Sequence, residues 1–96
     1  MDLGTTIRTI RKQRKQTQNE FASSCGITQT YLSQIETNSK EPNLSTLKEI
    51  SIALDVPLPI LFFLSLNNED VKPDKREAFN LINPSVKSLV NEFFKV

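Results

Sequence analysis

Four short, uncharged polar side chains lie close together between positions 29 and 34, and side chains of this kind can form hydrogen bonds with the edges of DNA bases. In a helix with about 100° between successive residues, all four fall within an arc of about 140°. Gln can pair through two hydrogen bonds with adenine N6 and N7, and Ser and Thr can bond to several base edges. The residues with this predicted base-reading role are Gln29, Thr30, Ser33 and Gln34.

The other side of this predicted helix is apolar, since Leu32 and Ile35 fall at about 300° and 240° when Gln29 is set to zero. An ordinary solvent-facing helix surface is the alternative explanation of the polar side. Such a surface is usually rich in Lys and Glu, whereas this one carries only amides and hydroxyls. The pattern therefore favours base reading over simple solvation.

The segment before these residues carries the start and stop signals of a helix-turn-helix. Thr17 and Glu20 have the spacing of a capping box, in which each side chain bonds to the other residue's backbone amide at a helix start. Gly26 can end that helix in the left-handed conformation, because it has no Cβ. Ile27 then fills the turn, and Thr28 is a suitable N-cap for the second helix. A corner of this kind exposes one side of its second helix.

A larger set of positions, in the same register, resembles a known family. The matching residues are Leu3, Ile7, Arg8, Ile10, Arg11, Thr17, Gln18, Phe21, Ala22, Gly26, Ile27, Thr28, Leu32, Ser33, Ile35, Glu36, Pro42, Leu47, Ile50, Ala53, Leu54 and Val56. Over about residues 3–66 the chain resembles the Cro and cI-type repressors, which have a five-helix lambda-repressor-like DNA-binding domain.

The resemblance implies specific roles for residues on the first three helices. Gln18 is expected to contact phosphate at the start of the second helix, and the four base-reading residues are expected to face the major groove. Arg11 and Glu36 are expected to pair and to fix the third helix against the first. The chain departs from the family at Gln16, Lys15, Asn38 and Ser51, where an apolar residue, glycine, glycine and alanine are usual. None of these departures removes a DNA-facing group.

Positive charge is concentrated in the half of the chain that holds the helix-turn-helix. Net charge is only +1, but residues 1–40 hold six Lys or Arg against three acids, whereas residues 41–96 hold six against eight. A basic run is often just a solvated helix end, and the alternative is that Arg8, Lys12, Arg14 or Lys15 contacts phosphate. The full set of predicted phosphate contacts is Gln18, Arg14, Lys15, Thr37 and Lys40.

Several other classes of protein are disfavoured by what the chain lacks. It has no His and a single cysteine, so neither a zinc site of the usual spacing nor an internal disulfide is expected. Cys25 is expected to be a small buried core residue. The amino terminus is polar, and no apolar stretch approaches the ~20 residues of a membrane span. We therefore expect no metal, no cofactor, no membrane association and no enzymatic activity, and a cytoplasmic location in a bacterium or as a phage product.

The pattern of apolar residues predicts seven helices and no strands. Five helices, beginning at about residues 3, 18, 28, 44 and 58, form a DNA-binding domain over residues 1–66. A polar hinge then leads to an extension over residues 67–96, with one helix over 73–82 and, after a break at Asn83 and Pro84, a second helix over about 84–94. The predicted fold class is therefore all-α, a five-helix lambda-repressor-like domain with a two-helix carboxy-terminal extension.

The extension carries an apolar stripe that a disordered tail would not have. Either the stripe folds back on the fifth helix of its own chain, or the two surfaces meet across a two-fold axis in a dimer. The second reading predicts a homodimer on a palindromic double-stranded DNA operator. The predicted interface residues are Ile60, Phe63, Leu64, Val86, Leu89, Val90, Phe93 and Phe94.

Together these features predict a sequence-specific transcriptional regulator, most simply a repressor, with no effector identified by the residues. The competing class is a protein-interaction adaptor or coactivator, in which the outer side of the third helix would bind protein. Antitoxins and restriction–modification controllers are variants of the same regulator that the sequence does not separate from it.

Overall fold

The computed structural model describes residues 1–96 and contains helices and turns but no strand. The all-α fold class is therefore confirmed. The α-helices are α1 (Leu3–Gln13), α2 (Gln18–Cys25), α3 (Gln29–Glu36), α4 (Leu44–Leu54), α5 (Leu58–Ser65) and α6 (Arg76–Phe94), with 3₁₀ turns at Asn68–Asp70 and Pro73–Lys75.

The first five helices begin at or within one residue of their predicted starts, because side chains cap the first four and prolines flank the start of the fifth. The Thr28 hydroxyl accepts from the Tyr31 amide at 3.1 Å, and the Asn43 side chain accepts from the Thr46 amide at 2.8 Å. Each cap satisfies an amide that has no partner inside its own helix. Pro57 and Pro59 flank the first residue of α5, where the missing proline amide costs no helix hydrogen bond.

The five helices enclose one apolar core to which every one of them contributes. Cys25 belongs to it, as predicted, and burial together with the charge of Glu49 raises the pKa of its thiol to about 11. Such a thiol stays protonated near neutral pH and packs as a small apolar group. The members of this core cluster are Ile7, Ile10, Phe21, Ala22, Cys25, Leu32, Ile35, Leu47, Ile50, Leu54, Val56 and Leu61.

Two of the positions where the family usually has glycine do adopt the left-handed conformation. Lys15 has φ 58° and Asn38 has φ 61°. Lys15 directly follows the residue that caps α1, so the chain reverses there despite its Cβ, at the steric cost that glycine avoids. Asn38 tolerates this region better, and its side chain is also used, as described below.

The extension contains one continuous α-helix, and the predicted break at Asn83 and Pro84 is wrong. Pro84 lies inside α6 with its ring exposed to solvent. It removes one backbone donor, but the same side of the helix faces the rest of the protein before and after it. The more buried positions follow each other at intervals of four, three, four and four residues, and they are Phe79, Asn83, Val86, Val90 and Phe94. This unbroken register stabilises one helix across the proline.

The end of α6 folds back onto the five-helix domain. Arg14 donates to the Phe94 carbonyl at 2.8 Å and to the Lys95 carbonyl at 2.9 Å, and its Nε donates to the Leu54 carbonyl at 3.0 Å. Val96 packs against the core cluster. One arginine thus joins the carboxyl ends of α4 and α6, where helices leave carbonyls without partners.

The α5 surface that was predicted to form the dimer interface is used within the chain. Ile60 and Leu64 are half-buried and pack against the core cluster of their own domain, and Phe63 is also half-buried. Val90 is buried. Ile60, Leu64 and Val90 are thus partly or wholly covered by their own chain, and their place in a dimer interface stays a prediction. None of the helices combines the length and the apolar character that crossing a bilayer requires.

Candidate nucleic-acid interface

The corner between α2 and α3 has the geometry that its sequence predicts. The Thr17 hydroxyl accepts from the Glu20 amide at 3.1 Å, and the Glu20 carboxylate accepts from the Thr17 amide at 3.0 Å. Hydrogen bonding of the Glu20 carboxylate to Thr17, to its backbone amide foremost and then to its side chain, lowers the pKa of the Glu20 carboxyl. Gly26 ends α2 with φ 69°, in the left-handed region. The corner therefore places α3 at a defined angle to α2.

A buried ion pair fixes α3 against α1. The Arg11 Nε lies 2.7 Å from Glu36 Oε2, and its second terminal nitrogen lies 3.0 Å from Glu36 Oε1. The remaining guanidinium nitrogen donates to the Gln16 carbonyl at 2.8 Å. Both side chains are almost entirely buried. The pair that the family resemblance implied is thus two-pronged, and its geometry fixes orientation as well as distance.

The four predicted base-reading residues lie on the side of α3 that points away from the core. Leu32 and Ile35 are buried on the opposite side. Gln29 and Thr30 are exposed, whereas Ser33 and Gln34 are half-buried. The resulting surface is narrow and uncharged. Its two amides and two hydroxyls can each donate and accept hydrogen bonds.

Gln18 occupies a position that the sequence did not reveal. Its Nε2 donates to Glu36 Oε1 at 2.9 Å, and its Oε1 accepts from Gln29 Nε2 at 2.7 Å. The first residue of α2 is therefore linked both to the buried ion pair and to the first base-reading residue of α3. The resemblance implied only that Gln18 contacts phosphate, and the second Nε2 hydrogen remains available for that contact.

The predicted phosphate contacts have different surroundings. Lys15 and Lys40 are exposed, and their amines form no hydrogen bond or ion pair within the chain. The Thr37 hydroxyl, also exposed, bonds to the Ser33 carbonyl at 3.0 Å and lies 3.1 Å from the Ser39 hydroxyl, so it helps to cap α3. The assignment of Arg14 to phosphate is revised, because its guanidinium is bound to the three carbonyls described above.

Asn38 joins the end of α3 to the start of α1 through its side chain, a role that the sequence did not reveal. Its Oδ1 accepts from the Gly4 amide at 3.0 Å, and its Nδ2 donates to Asp2 Oδ1 at 2.7 Å. The Asp2 pKa is lowered, chiefly by this hydrogen bond from Asn38. A Cβ on Gly4 would meet the Ile35 carbonyl oxygen, so the close approach of α1 and the end of α3 requires glycine there. The occurrence of Asn at a glycine position was the only hint in the sequence.

The model of the helix-turn-helix family matches residues 7–61, which include the whole of the corner just described. The chain belongs to the helix-turn-helix family. The matched segment begins in α1 and ends in α5, so it contains all of α2, α3 and α4, most of α1 and the first half of α5. Residues beyond 61, including all of α6, lie outside it.

Regulatory proteins of phage and bacterial origin are among the similar sequences. The immunity repressor protein of Bacillus phage phi105 is 39% identical over 56 residues, which cover 58% of this chain and 39% of the repressor. The ImmF control region 10 kDa protein of the same phage is 37% identical over 59 residues, covering 62% of this chain and 66% of that protein. The HTH-type transcriptional regulator SutR of Escherichia coli is 36% identical over 55 residues, covering 57% of this chain and 31% of SutR. The similarity thus spans between about a third and two thirds of these relatives.

Proposed function

We propose that this protein is a sequence-specific, double-stranded-DNA-binding transcriptional regulator of the repressor type, which reads the major groove with α3. The observation that carries the proposal is the uncharged outer side of α3, formed by Gln29, Thr30, Ser33 and Gln34 and held by the buried Arg11–Glu36 pair. Relatives named as an immunity repressor and as a transcriptional regulator support it. A regulator of a bacterial or phage promoter would act in the cytoplasm.

In this proposal the phosphates on either side of the groove are contacted by Gln18, Lys15, Thr37 and Lys40. The amino end of α2 and the loop after α3 would each face one backbone strand, with α3 between them. Exposed lysines contribute mainly through counterion release, whereas Gln18 contributes a hydrogen bond from a fixed position. Arg14 is left out of this set because it binds the end of α6.

The direct test is a binding experiment with DNA from upstream of the protein's own gene. Nuclease protection of that region by the full chain should reveal a short protected site, and a duplex of shuffled sequence should bind ~10³-fold or more weakly at physiological salt. Equal affinity for both duplexes would refute sequence-specific recognition. Failure to bind either duplex would favour the alternative in which α3 binds a protein.

We further propose that the protein is a homodimer that binds a palindromic operator through α6. The apolar residues of α6 lie on two adjacent arcs. Val86 and Val90 face the rest of the chain, whereas four large side chains remain in solvent: Leu81 is 78% exposed, Ile82 56%, Leu89 56% and Phe93 75%. With Leu81 set to zero, the other three lie at about 80° to 120° and form one stripe. Ile52 of α4, 71% exposed, lines the same groove as Phe93.

The size and charge of this surface favour a second copy of the chain as its occupant. Five large side chains at roughly 100–150 Å² each expose on the order of 600 Å², close to the ~800 Å² that each partner contributes to a standard interface. Lys87, the only charged residue of α6 between Glu77 and Glu92, falls at about 240° on the same scale, on the side of the helix opposite the stripe, so two antiparallel copies would not bring their lysines into contact at the centre. A dimer would also place two α3 helices about 34 Å apart, the spacing of adjacent half-sites on one side of the duplex.

Two leucines of nearly equal exposure allow a matched test. Leu89 is 56% exposed in the stripe, and Leu44, at the start of α4, is 55% exposed outside it. Leu89→Lys should convert the full chain from dimer to monomer in sedimentation at micromolar concentration, because a charge cannot be buried unpaired. Leu44→Lys should leave the dimer intact. A parent chain that is monomeric up to 0.1 mM, or an L89K variant that still dimerises, would refute this interface without affecting the DNA-reading proposal.

A further inference from the structure

Arg14 is the only residue of the five-helix domain that forms hydrogen bonds with α6 or with the two residues after it. Each nitrogen of its guanidinium donates to a different carbonyl: Nε to that of Leu54 at 3.0 Å, and the two terminal nitrogens to those of Phe94 at 2.8 Å and Lys95 at 2.9 Å. The guanidinium is planar, and its donors point in fixed directions. These three hydrogen bonds therefore fix the angle of α6 against the domain as well as its distance from α4.

The other contacts of α6 do not determine this angle in the same way. At the amino end of the helix, Arg76 donates to two carbonyls at 2.9 and 3.0 Å, but both belong to the segment between α5 and α6. Val90 is buried and Val96 packs against the core cluster, but apolar contact of this kind is non-directional. A cleft of about 280 Å³, lined by residues of α1, α5 and α6, remains open between the helix and the domain. The hydrogen bonds of Arg14 are therefore what holds α6 at one angle.

The angle of α6 matters because the proposed dimer contact lies on α6, whereas α3 belongs to the five-helix domain. In a dimer joined through α6, the separation of the two α3 helices depends on how each domain is held against its own α6. The chain extends 41 Å in its longest direction. A rotation of about 10° moves a point ~20 Å away by about 3.5 Å, which is close to the rise of one base pair. A small change in the angle of α6 is thus enough to shift α3 by one base pair along DNA.

We propose that Arg14 is a positioning residue that sets the spacing between the two half-sites of the operator. This inference rests on the proposed homodimer and names a specificity determinant for it. Arg14 acts through α6 and does not contact DNA. Its loss should therefore relax the required spacing without changing which bases α3 reads.

Residual dipolar couplings of the full chain test the angle itself. In the parent, one alignment frame should fit the backbone amides of α1–α5 and those of α6. In Arg14→Ala, the couplings of α6 should shrink relative to those of the domain, because α6 then samples a range of directions. Couplings that fit one frame as well in this variant as in the parent would overturn the proposal.

Operators that differ in half-site separation test the effect on specificity. Inserting one base pair moves the second half-site by about 3.4 Å and turns it by about 34–36° around the duplex. The parent should bind the lengthened operator at least ~10-fold more weakly, because a rigid dimer loses much of the roughly 10²- to 10⁴-fold gain from binding both half-sites at once. Arg14→Ala should reduce this ratio to about threefold or less, since its domains can adjust to either spacing. A ratio equal to that of the parent would refute the role of Arg14.

Lys95 allows a matched pair of variants that leave Arg14 in place. It ends α6 in the left-handed conformation, with φ 59°, and its amide donates to the Asn91 carbonyl. Glycine adopts this conformation readily, whereas proline is held at φ of about −65° and has no amide hydrogen. Both variants remove the same charge, but only Lys95→Pro should displace the carbonyls that bind Arg14 and relax the spacing ratio. Lys95→Gly should keep the ratio of the parent, and an equal ratio in the two variants would contradict the proposal.

Binding to a single half-site separates this inference from the function on which it rests. A parent chain that binds one half-site as tightly as two would refute the proposed dimer on DNA. A parent that discriminates between spacings, together with variants that discriminate equally well, would refute only the positioning by Arg14. Affinity for a single half-site should be the same in the parent and in Arg14→Ala. Weaker binding by the variant would place Arg14 at the DNA, and that result would also overturn the proposal.

Discussion

Replacing Glu36 by Gln should destabilise the protein strongly, because Arg11 would keep its charge in the interior without a counter-ion. Both side chains of the pair are nearly inaccessible to solvent, Arg11 at 7% and Glu36 at 1%. Removing one partner of such a buried pair costs about 3–5 kcal/mol. Gln still offers one oxygen to the guanidinium, so we expect a loss near the lower limit, about 3 kcal/mol. For a chain of this size that loss lowers Tm by about 12–24 °C.

The assay is urea unfolding of the full chain followed by circular dichroism at neutral pH. The midpoint should fall while the slope of unfolding free energy against urea stays constant, as expected when stability alone changes. The exposed pair between the amino-terminal amine and Asp70, 2.7 Å apart, is the matched control, and Asp70→Asn should change the midpoint far less. The double variant Arg11→Met with Glu36→Leu should recover most of the loss, since no unpaired charge remains. An E36Q midpoint equal to that of the parent would refute the reasoning.

Three further predictions concern stability, salt and pH. Gln16→Leu should raise the free energy of unfolding by about 1 kcal/mol in the same urea assay, because the buried Oε1 of Gln16 has no partner; a loss of stability would contradict this. Arg14→Ala should leave the slope of log affinity against log salt unchanged, whereas Lys40→Ala should make it shallower by about one unit; a shallower slope in both would return Arg14 to the phosphate contacts. The hydrogen bond from Asn38 lowers the pKa of Asp2, so its stabilising contribution is complete above the ordinary value of 3.8 and is lost as pH falls through the lowered value. Asn38→Ala should therefore reduce stability at neutral pH and weaken its dependence on pH below 4, and unchanged acid unfolding would contradict this.

Local features of the fold were predictable because their causes lie within a few residues. The capping box at Thr17 and Glu20 and the glycine at position 26 satisfy or relieve backbone groups of their own turn. The predicted break at Pro84 was wrong because it used only the local preference of proline and not the register of the surrounding helix. Proline usually ends a helix, but α6 continues through Pro84, and the more buried positions before and after it keep one helical register.

Contacts between distant parts of the chain were not predictable from residue type and spacing. Arg14 belongs to a basic run typical of DNA-binding surfaces, yet its partners are carbonyls 80 and 81 residues away. The bond from Gln18 to Glu36 and the contacts of Asn38 likewise cross from one helix to another. A sequence pattern identifies side chains that can form hydrogen bonds, but the tertiary fold decides which partner each one finds.

We propose that α3 distinguishes one DNA sequence from another through its outward amides. The ratio of the affinity for the operator to the affinity for a random duplex tests this most directly. Affinity for the operator and for a random duplex should be measured side by side for Gln29→Ala, Gln34→Ala and the control Gln13→Ala, an exposed glutamine on α1. The first two variants should lose about 1–3 kcal/mol on the operator and almost nothing on random DNA, whereas the control should match the parent on both. Equal losses on operator and random duplex would contradict base reading by α3 and would assign these residues to the DNA backbone.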